Sequence, residues 1–535
     1  MNVRMVENTI PESTAPTALA DEISQPGIRA ASLVATSEWA ASYGGLADFC
    51  TSLMSENVER RRETAQRLDE VLNPKGARRA TRAMAVGFEM FIQSIALALD
   101  VRDVTRSEGV SIGDWIGARV RNLRSARGQA LADTLDPEAR ALRIAAEAGD
   151  RDAVSAAIAR RLRICAETLG PTYIKFGQLV GSSVGLLPPE VVDEFARCRD
   201  AARPESFATI RRRIESELGP LSETFSRFDA EPIAAASIAQ VHAAQLRDGR
   251  EVAVKVQRPG IRKRMERDAA LLYSAATAAD AVDLMETANL PGMIELFTAC
   301  LLEELDFRLE AENMAEFAIL LEQSGVTDVC VPRPIPGMIT ETVLVMERLG
   351  GRPITRAGAE SLGIFRVGTR AVLDTALTHG LFHADLHTGN ILHLDDGRFG
   401  LVDFGIVGRF DPEQRMGLAR WLLSFTGDDV SAQLTALAEL GAFGEGADVD
   451  EATEQIEAVI AKVEIAQDPT LDDIASHFEL IARILTHHGM RLPRELTLFF
   501  KNLIHLSGAV REIDPTQSPT DEMTGLIESV NARPA

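Results

Sequence analysis

At 535 residues, 46% hydrophobic and 25% charged, the chain can bury a large core and form two or three domains of ordinary soluble composition. A formal net charge of −23 excludes broad nucleic-acid binding, because phosphate contacts need clustered Lys and Arg that an acidic surface opposes. The five cysteines stand singly with no CxxC pair, which points to a reducing compartment and no structural zinc.

Residues 1–25 are rich in Pro, Ser, Thr, Glu and Ala and read as a disordered tail without a signal peptide, as expected of a cytoplasmic protein. Residues 26–160 read as a helical region. Within it Met84, Phe88, Phe91, Ile92, Ile95 and Leu99 recur at helical spacing, interrupted by Glu89 and Gln93. The run is short for a bilayer and reads as a buried packing helix, with a membrane-surface helix as the alternative.

Residues 161–230 carry Leu169-Gly170-Pro171 followed by Lys175, Gly177 and Gln178, which puts a cation and an amide near the start of a helix. Capping and surface roles would explain these residues equally well from the local sequence. Leu186–Glu190 ends one element and begins another, and Arg211–Leu218 reads as a charged amphipathic helix closed by Gly219-Pro220. The basic runs Arg211–Arg213 and Arg262–Arg264 read as solvated helix faces.

From residue 231 to 350 the pattern becomes β. Pro232–His242 leads into Ala243–Leu246, a turn at Asp248-Gly249 and the strand Glu251–Val256. Lys255 lies among Val and Ala, where an unpaired ammonium is costly, so it needs an anionic partner. A lysine so placed grips the nucleotide phosphates in protein kinases. Where such an enzyme carries Gly-x-Gly-x-x-Gly, this chain has Ala234-Ala235-Ala236-Ser237, whose Cβ atoms limit positive φ and make a stiffer phosphate loop. The acid-rich run Leu301–Asn313 reads as one helix with Glu303, Asp306 and Glu310 on one face and Glu304 turned away. Glu310 is the preferred partner of Lys255, and Glu304 with Asp306 of Lys175, with Glu304 left open as the partner of Lys255. Glu341–Glu347 reads as the strand entering the connection between lobes, beside the adenine.

Residues 351–515 hold two acids joined by a hairpin. His383-Ala384-Asp385 is followed by Asn390, strand-like Ile391-Leu392, a turn at Asp395-Asp396-Gly397, and Leu401-Val402 leading into Asp403-Phe404-Gly405. Asp, Asn and Asp at this spacing match the kinase catalytic loop and its second metal-holding acid. Arg415–Thr426, Leu434–Leu440, Glu451–Ile465 and Pro493–Arg511 read as packing helices, Gly441–Asp450 as an acidic loop, and 516–535 as a tail. His487 and His488 are adjacent, point apart on a helix and make no metal pair.

Together these residues resemble the UbiB/AarF (ADCK) family of atypical kinase-like proteins over roughly Leu162–Pro515. The resemblance implies an α+β, protein-kinase-like two-lobed fold with an added helical N-terminal extension over the active site. It implies ATP and Mg²⁺ as cofactors, with Lys255 on phosphate, Asn390 and Asp403 on metal, and Asp385 at the nucleophile. Lys175 would occupy the place where a protein substrate approaches. Ala234, Ala235, Ala236, Ser237, Gln178, Glu304, Asp306, Glu310 and Glu347 complete the nucleotide side. It further implies ATP hydrolysis or small-molecule phosphorylation rather than protein phosphorylation, in ubiquinone or other lipid metabolism. The partners would be a lipid or quinone-precursor ligand, a peripheral membrane contact and a lipid-biosynthetic complex. The alternative is a nucleotide-binding pseudokinase scaffold, against which the intact Lys255, Asp385, Asn390 and Asp403 weigh.

The chain departs from the family at Gly181–Gly185, where an Arg and an Asp are missing, and at Thr388, which replaces a Pro. Ala384 stands where a conventional kinase has Arg, so activation-loop phosphorylation has no docking point. The C-terminus lacks the paired apolar spans of some bacterial members.

Overall fold

The computed structural model describes residues 37–41, 46–55, 57–72, 151–181, 189–198, 203–280, 290–358, 361–424, 430–443, 449–460, 484 and 493–513. The expected helix at 83–99, the Gly181–Gly185 departure beyond Gly181, His487-His488 and both tails lie outside the described residues.

A short N-terminal set, α1 (Glu38–Ala41), α2 (Leu46–Ser55) and α3 (Asn57–Leu72), precedes an extension of α4 (Arg151–Leu169), α5 (Pro171–Gly181) and α6 (Pro189–Phe195). Pro171 opens α5 as its first residue, where the missing N–H costs nothing. The extension has its own core of Cys165, Leu169, Tyr173, Val180, Phe195 and Cys198. Gly177 explains the small residue in Lys-x-Gly-Gln: a Cβ there would sit 2.8 Å from the Phe195 ring and 2.9 Å from Cys198 Sγ. The helices touch along this glycine, leaving the opposite side of α5 for Lys175.

Helix α7 (Phe207–Leu218), capped by Ser206 and stopped by Gly219 at φ 82°, leads into the sheet. Strands β1 (Phe225–Ala235), β2 (Ala239–Leu246), β3 (Glu251–Gln257), β5 (Pro334–Ile339) and β6 (Val343–Glu347) form it, in the order β1-β2-β3-β6-β5 and antiparallel throughout. Alternation along β3 sends Val252, Val254 and Val256 outward onto Ile210 and Ile214 of α7, all fully buried. Each such side chain contributes about 1.5–3 kcal/mol of burial. The same alternation turns Ala253 and Lys255 to the inner face.

Between β3 and β5 run α8 (Ile261–Asp280), α9 (Leu290–Glu304), α10 (Phe307–Gln323) and the short β4 (Val329–Cys330). The single helix expected across 301–313 is broken at Leu305-Asp306. Asp306 adopts φ −126°, ψ 98°, and its carboxylate accepts from Arg308 N at 3.0 Å, so it caps α10 rather than continuing α9. An Asp competes with the backbone for hydrogen bonds inside a helix and gains them at a cap.

The second lobe begins with β7 (Gly351–Pro353) and α11 (Leu362–His379), which ends at Gly380 in the left-handed region, φ 83°. Then come β8 (Leu381–His383), a 3₁₀ turn at Thr388–Asn390, the hairpin β9 (Ile391–Leu394)–β10 (Phe399–Leu401), and β11 (Val407–Arg409) paired with β8. Helices α12 (Pro412–Ser424), α13 (Val430–Glu439), α14 (Val449–Ile460) and α15 (Arg494–Ile513) complete the described chain. One hydrophobic core runs through both lobes and takes in Leu53, Leu68 and Leu72 of the N-terminal set. No described helix is long and apolar enough to cross a membrane.

Candidate active site

Strand β3 delivers Lys255 from above. Its Nζ donates to Glu310 Oε1 at 2.7 Å and Oε2 at 3.0 Å, and to Asp403 Oδ1 at 2.9 Å, with the Phe307 ring centroid 5.4 Å away. Burial opposes its charge, but Asp403 and Glu310 outweigh that and hold the ammonium above its ordinary range. Glu310 is buried on α10, and burial pushes it up to about 7 against the pull of Lys255.

Lys175 enters from the extension. Its Nζ lies 2.6 Å from Glu304 Oε2, at the last residue of α9. The helix break separates the two acids expected to meet this lysine: Asp306 is instead paired with Arg308 at 2.7 Å. Gln178 is half-buried on the same helix, α5.

The floor is the segment 383–390. Buried His383 is driven down to about 4 by burial and is neutral; its Nε2 donates to Val402 O at 3.3 Å and its Nδ1 accepts from Asp385 N at 3.1 Å. Asn390 Nδ2 donates to Asp385 O at 3.0 Å, and Val402 N donates to Asn390 O at 3.0 Å. These bonds lock Asn390 beside the end of β10 and leave its amide oxygen uncommitted to them. Asp403 follows at φ 62°, the one positive-φ non-glycine among the described residues, with its carboxylate half-exposed. An L-residue there carries backbone strain of about 1–2 kcal/mol, offset by its surroundings.

Asp385 bonds Lys501 Nζ at 2.7 Å through Oδ1, and His387 Nε2 stands 3.8 Å from Oδ2. Burial opposes its ionisation, but Lys501, His387 and Lys175 overcome that and hold its carboxyl well below the usual carboxylate range. Lys501 comes from α15, whose next residue clamps the same loop: Asn502 Oδ1 accepts from Leu386 N at 3.0 Å and Asn502 Nδ2 donates to His383 O. Arg494, one end of that helix, forms a buried ion pair with Glu303 of α9 at 2.5 Å. The sequence shows α15 only as an apolar closing helix, and the spacing 385 to 501 offers no local signal.

The alanine segment is placed differently from a wide loop. Ala234 and Ala235 end β1, and Ala236 N donates to Ala239 O at 2.9 Å, so only a tight turn around Ala236 and buried Ser237 remains. Arg258 pins it by donating to Ala236 O at 2.9 Å. Glu347 is the last residue of β6, where the chain enters the connection between the lobes. It lies opposite Val252 and so shares that residue's outer face, pairing with Arg333 at 3.0 Å beside a cavity of about 560 Å³.

Among the described residues no group of three or more His, Cys, Asp or Glu forms a ready metal cage. Asp403 and Asn390 instead offer a carboxylate and an amide oxygen, on backbone segments joined by the Val402 N–Asn390 O bond. That is the donor set of a Mg²⁺ ion whose remaining ligands are phosphate and water, so these residues fit that metal.

The ABC1 atypical kinase-like domain family matches residues 197–436. A chloroplastic, uncharacterised aarF domain-containing protein kinase of Arabidopsis thaliana is 32% identical over 388 residues, covering 66% of this chain and 72% of that protein. The chain belongs to the ABC1/aarF family of atypical kinase-like proteins. An uncharacterised protein of Mycobacterium tuberculosis is 34% identical over 363 residues, with 65% and 73% covered. The probable protein kinase UbiB of Azotobacter vinelandii is 33% identical over 371 residues, with 66% and 68% covered. The ABC1 match takes in Lys255, Glu304, Glu310, Asp385, Asn390 and Asp403. Lys175 and Lys501 both lie outside it, one on each side.

Proposed function

We propose that this chain is an ATP- and Mg²⁺-dependent atypical kinase or ATPase acting in isoprenoid-quinone or other lipid metabolism. The observation that carries the reading is the double engagement of Lys255, which bonds Glu310 of α10 and Asp403 at once. A kinase-like site able to work needs its strand lysine tied to the helix acid and its metal-holding acid in place. Lys255 would bind the inner phosphates, Asn390 and Asp403 would hold Mg²⁺, and Asp385 would orient the nucleophile. The metal, when bound, supplies charge neutralisation on the phosphate oxygens.

One feature favours water or a small acceptor over a peptide. The Lys175–Glu304 pair stands near enough to Asp385 for Lys175 to depress its carboxyl. The ABC1 assignment together with UbiB among the relatives supports the lipid setting and peripheral contact with a membrane complex.

The test is phosphate release from ATP with Mg²⁺, wild type against Asp403→Asn, with and without lipid vesicles and a quinone-precursor-like phenol. Asn keeps the shape and tolerates positive φ while removing the charge, so a loss of about a hundredfold or more is expected. Equal release by the two proteins under every condition would leave a nucleotide-binding scaffold as the better reading.

A further inference from the structure

We propose that Lys501, brought in by the C-terminal helix α15, is the cation that receives the terminal phosphate of the bound nucleotide. The inference rests on the ATP reading above and adds a residue to it from outside the matched family domain.

The site sets four carboxylates, Glu304, Glu310, Asp385 and Asp403, against three lysines, Lys175, Lys255 and Lys501. A triphosphate entering such an acidic place needs a cation wherever it passes a carboxylate. At the inner end Lys255 meets that need beside Asp403. At the outer end the acid is Asp385, the residue placed to address the nucleophile. The cation bonded to it is Lys501, at 2.7 Å with 15% of its side chain exposed. Lys175 is engaged by Glu304. Within the loop itself the nearest basic group is His387, whose Nε2 stands 3.8 Å from Asp385 Oδ2, beyond hydrogen-bond distance, while its Nδ1 accepts from Gly389 N.

The position of Lys501 is built rather than incidental. Asn502 grips the backbone on either side of Asp385, at His383 O and Leu386 N, and Arg494 anchors the same helix through buried Glu303. A surface lysine that merely found an acid would not need its neighbour to fix the acid's backbone. Lysine suits the role as a compact point charge on a flexible stem, able to leave a carboxylate for a phosphate oxygen a short distance away.

The experiment is equilibrium binding of a non-hydrolysable ATP analogue and of ADP to the full chain with Mg²⁺, using wild type, Lys501→Met, Lys501→Arg, Asp385→Asn and the Asp385→Asn/Lys501→Met pair. Lys501→Met should weaken the triphosphate about tenfold to a hundredfold, as loss of one charge-assisted bond does, and change ADP by less than about twofold. Lys501→Arg should restore most of the difference. Asp385→Asn removes the competitor for Lys501 and should tighten the triphosphate, a gain that vanishes in the double variant.

Equal weakening of both nucleotides by Lys501→Met would mean that Lys501 only braces the loop, and no weakening of either would mean that it only neutralises Asp385; each overturns the proposal. Should Lys501→Met fail to fold, the absence of tightening in Asp385→Asn overturns it. Wild type binding neither nucleotide would sink the ATP reading itself and this inference with it. Normal binding without the triphosphate-selective effect sinks only the role of Lys501.

Discussion

On the sheet side of the site, Lys255 sits on a strand whose alternation aims it inward, and its partners Glu310 and Asp403 lie within the matched family domain. On the floor, Asp385 depends on Lys501 and Asn502, more than a hundred positions further along and outside that domain. The first wall is specified by short motifs. The second is completed by a helix whose sequence reads by itself as a packing element. Chemistry can thus be written locally while the support it relies on is written elsewhere.

The sharpest way to break this contrast is Arg494→Met, which leaves Glu303 buried without its partner at 2.5 Å. Unfolding free energy in urea should fall by about 3–5 kcal/mol, and the floor should be lost with it because α15 carries Lys501 and Asn502. Stability unchanged within error would show that α15 is held by its apolar face alone.

On the opposite wall, Lys255→Met should separate function from folding. Glu310 already lies near about 7 through burial and can take up a proton once the lysine is gone. Phosphate release should therefore drop about a hundred- to a thousandfold, with a melting temperature close to wild type. A collapse of melting temperature instead would make Lys255 a structural tie.

The smallest effect concerns the far face of α10. Glu312 is fully buried, neither carboxylate oxygen accepts a hydrogen bond among the described residues, and Arg60 Nε is 4.0 Å away. Burial pushes it from 4.5 up to about 7, opposed by Arg61 and Arg409. Between those values the folded chain holds a proton the unfolded chain has lost, so this residue's contribution to stability falls as pH rises through that window. The change should be about 2 kcal/mol, and Glu312→Gln should flatten it in denaturation curves taken from pH 5 to 8. A slope unaltered by the substitution would place the titration elsewhere.

Much of the sheet and the placement of its lysine is legible because period-two patterning and turn residues are local. Val-Ala-Val-Lys reads directly as β3, and Asp395-Asp396-Gly397 as the turn between β9 and β10. The break at Leu305-Asp306 was hidden because the acids around it keep helical spacing on both sides, although an Asp before Phe307 and its apolar successors is an N-cap signal. The face that the Glu347 side chain takes has no local signal: only its pairing opposite Val252 shows it. Lys501, Asn502 and Arg494 had no local signature at all, since their partners are 116, 119 and 191 residues away.

Asn313, midway along α10, joins three stretches of chain through one amide. Its Nδ2 donates to Phe404 O at 2.9 Å, while its Oδ1 accepts from Arg409 at 3.2 Å and from Arg61 at 3.5 Å. Helix α3, the helix bearing Glu310 and the segment after Asp403 are therefore hydrogen-bonded through one side chain. They should lose amide-exchange protection as a single cooperative block, and a fragment cut to the matched family domain would be missing part of what holds the Asp403 segment in place.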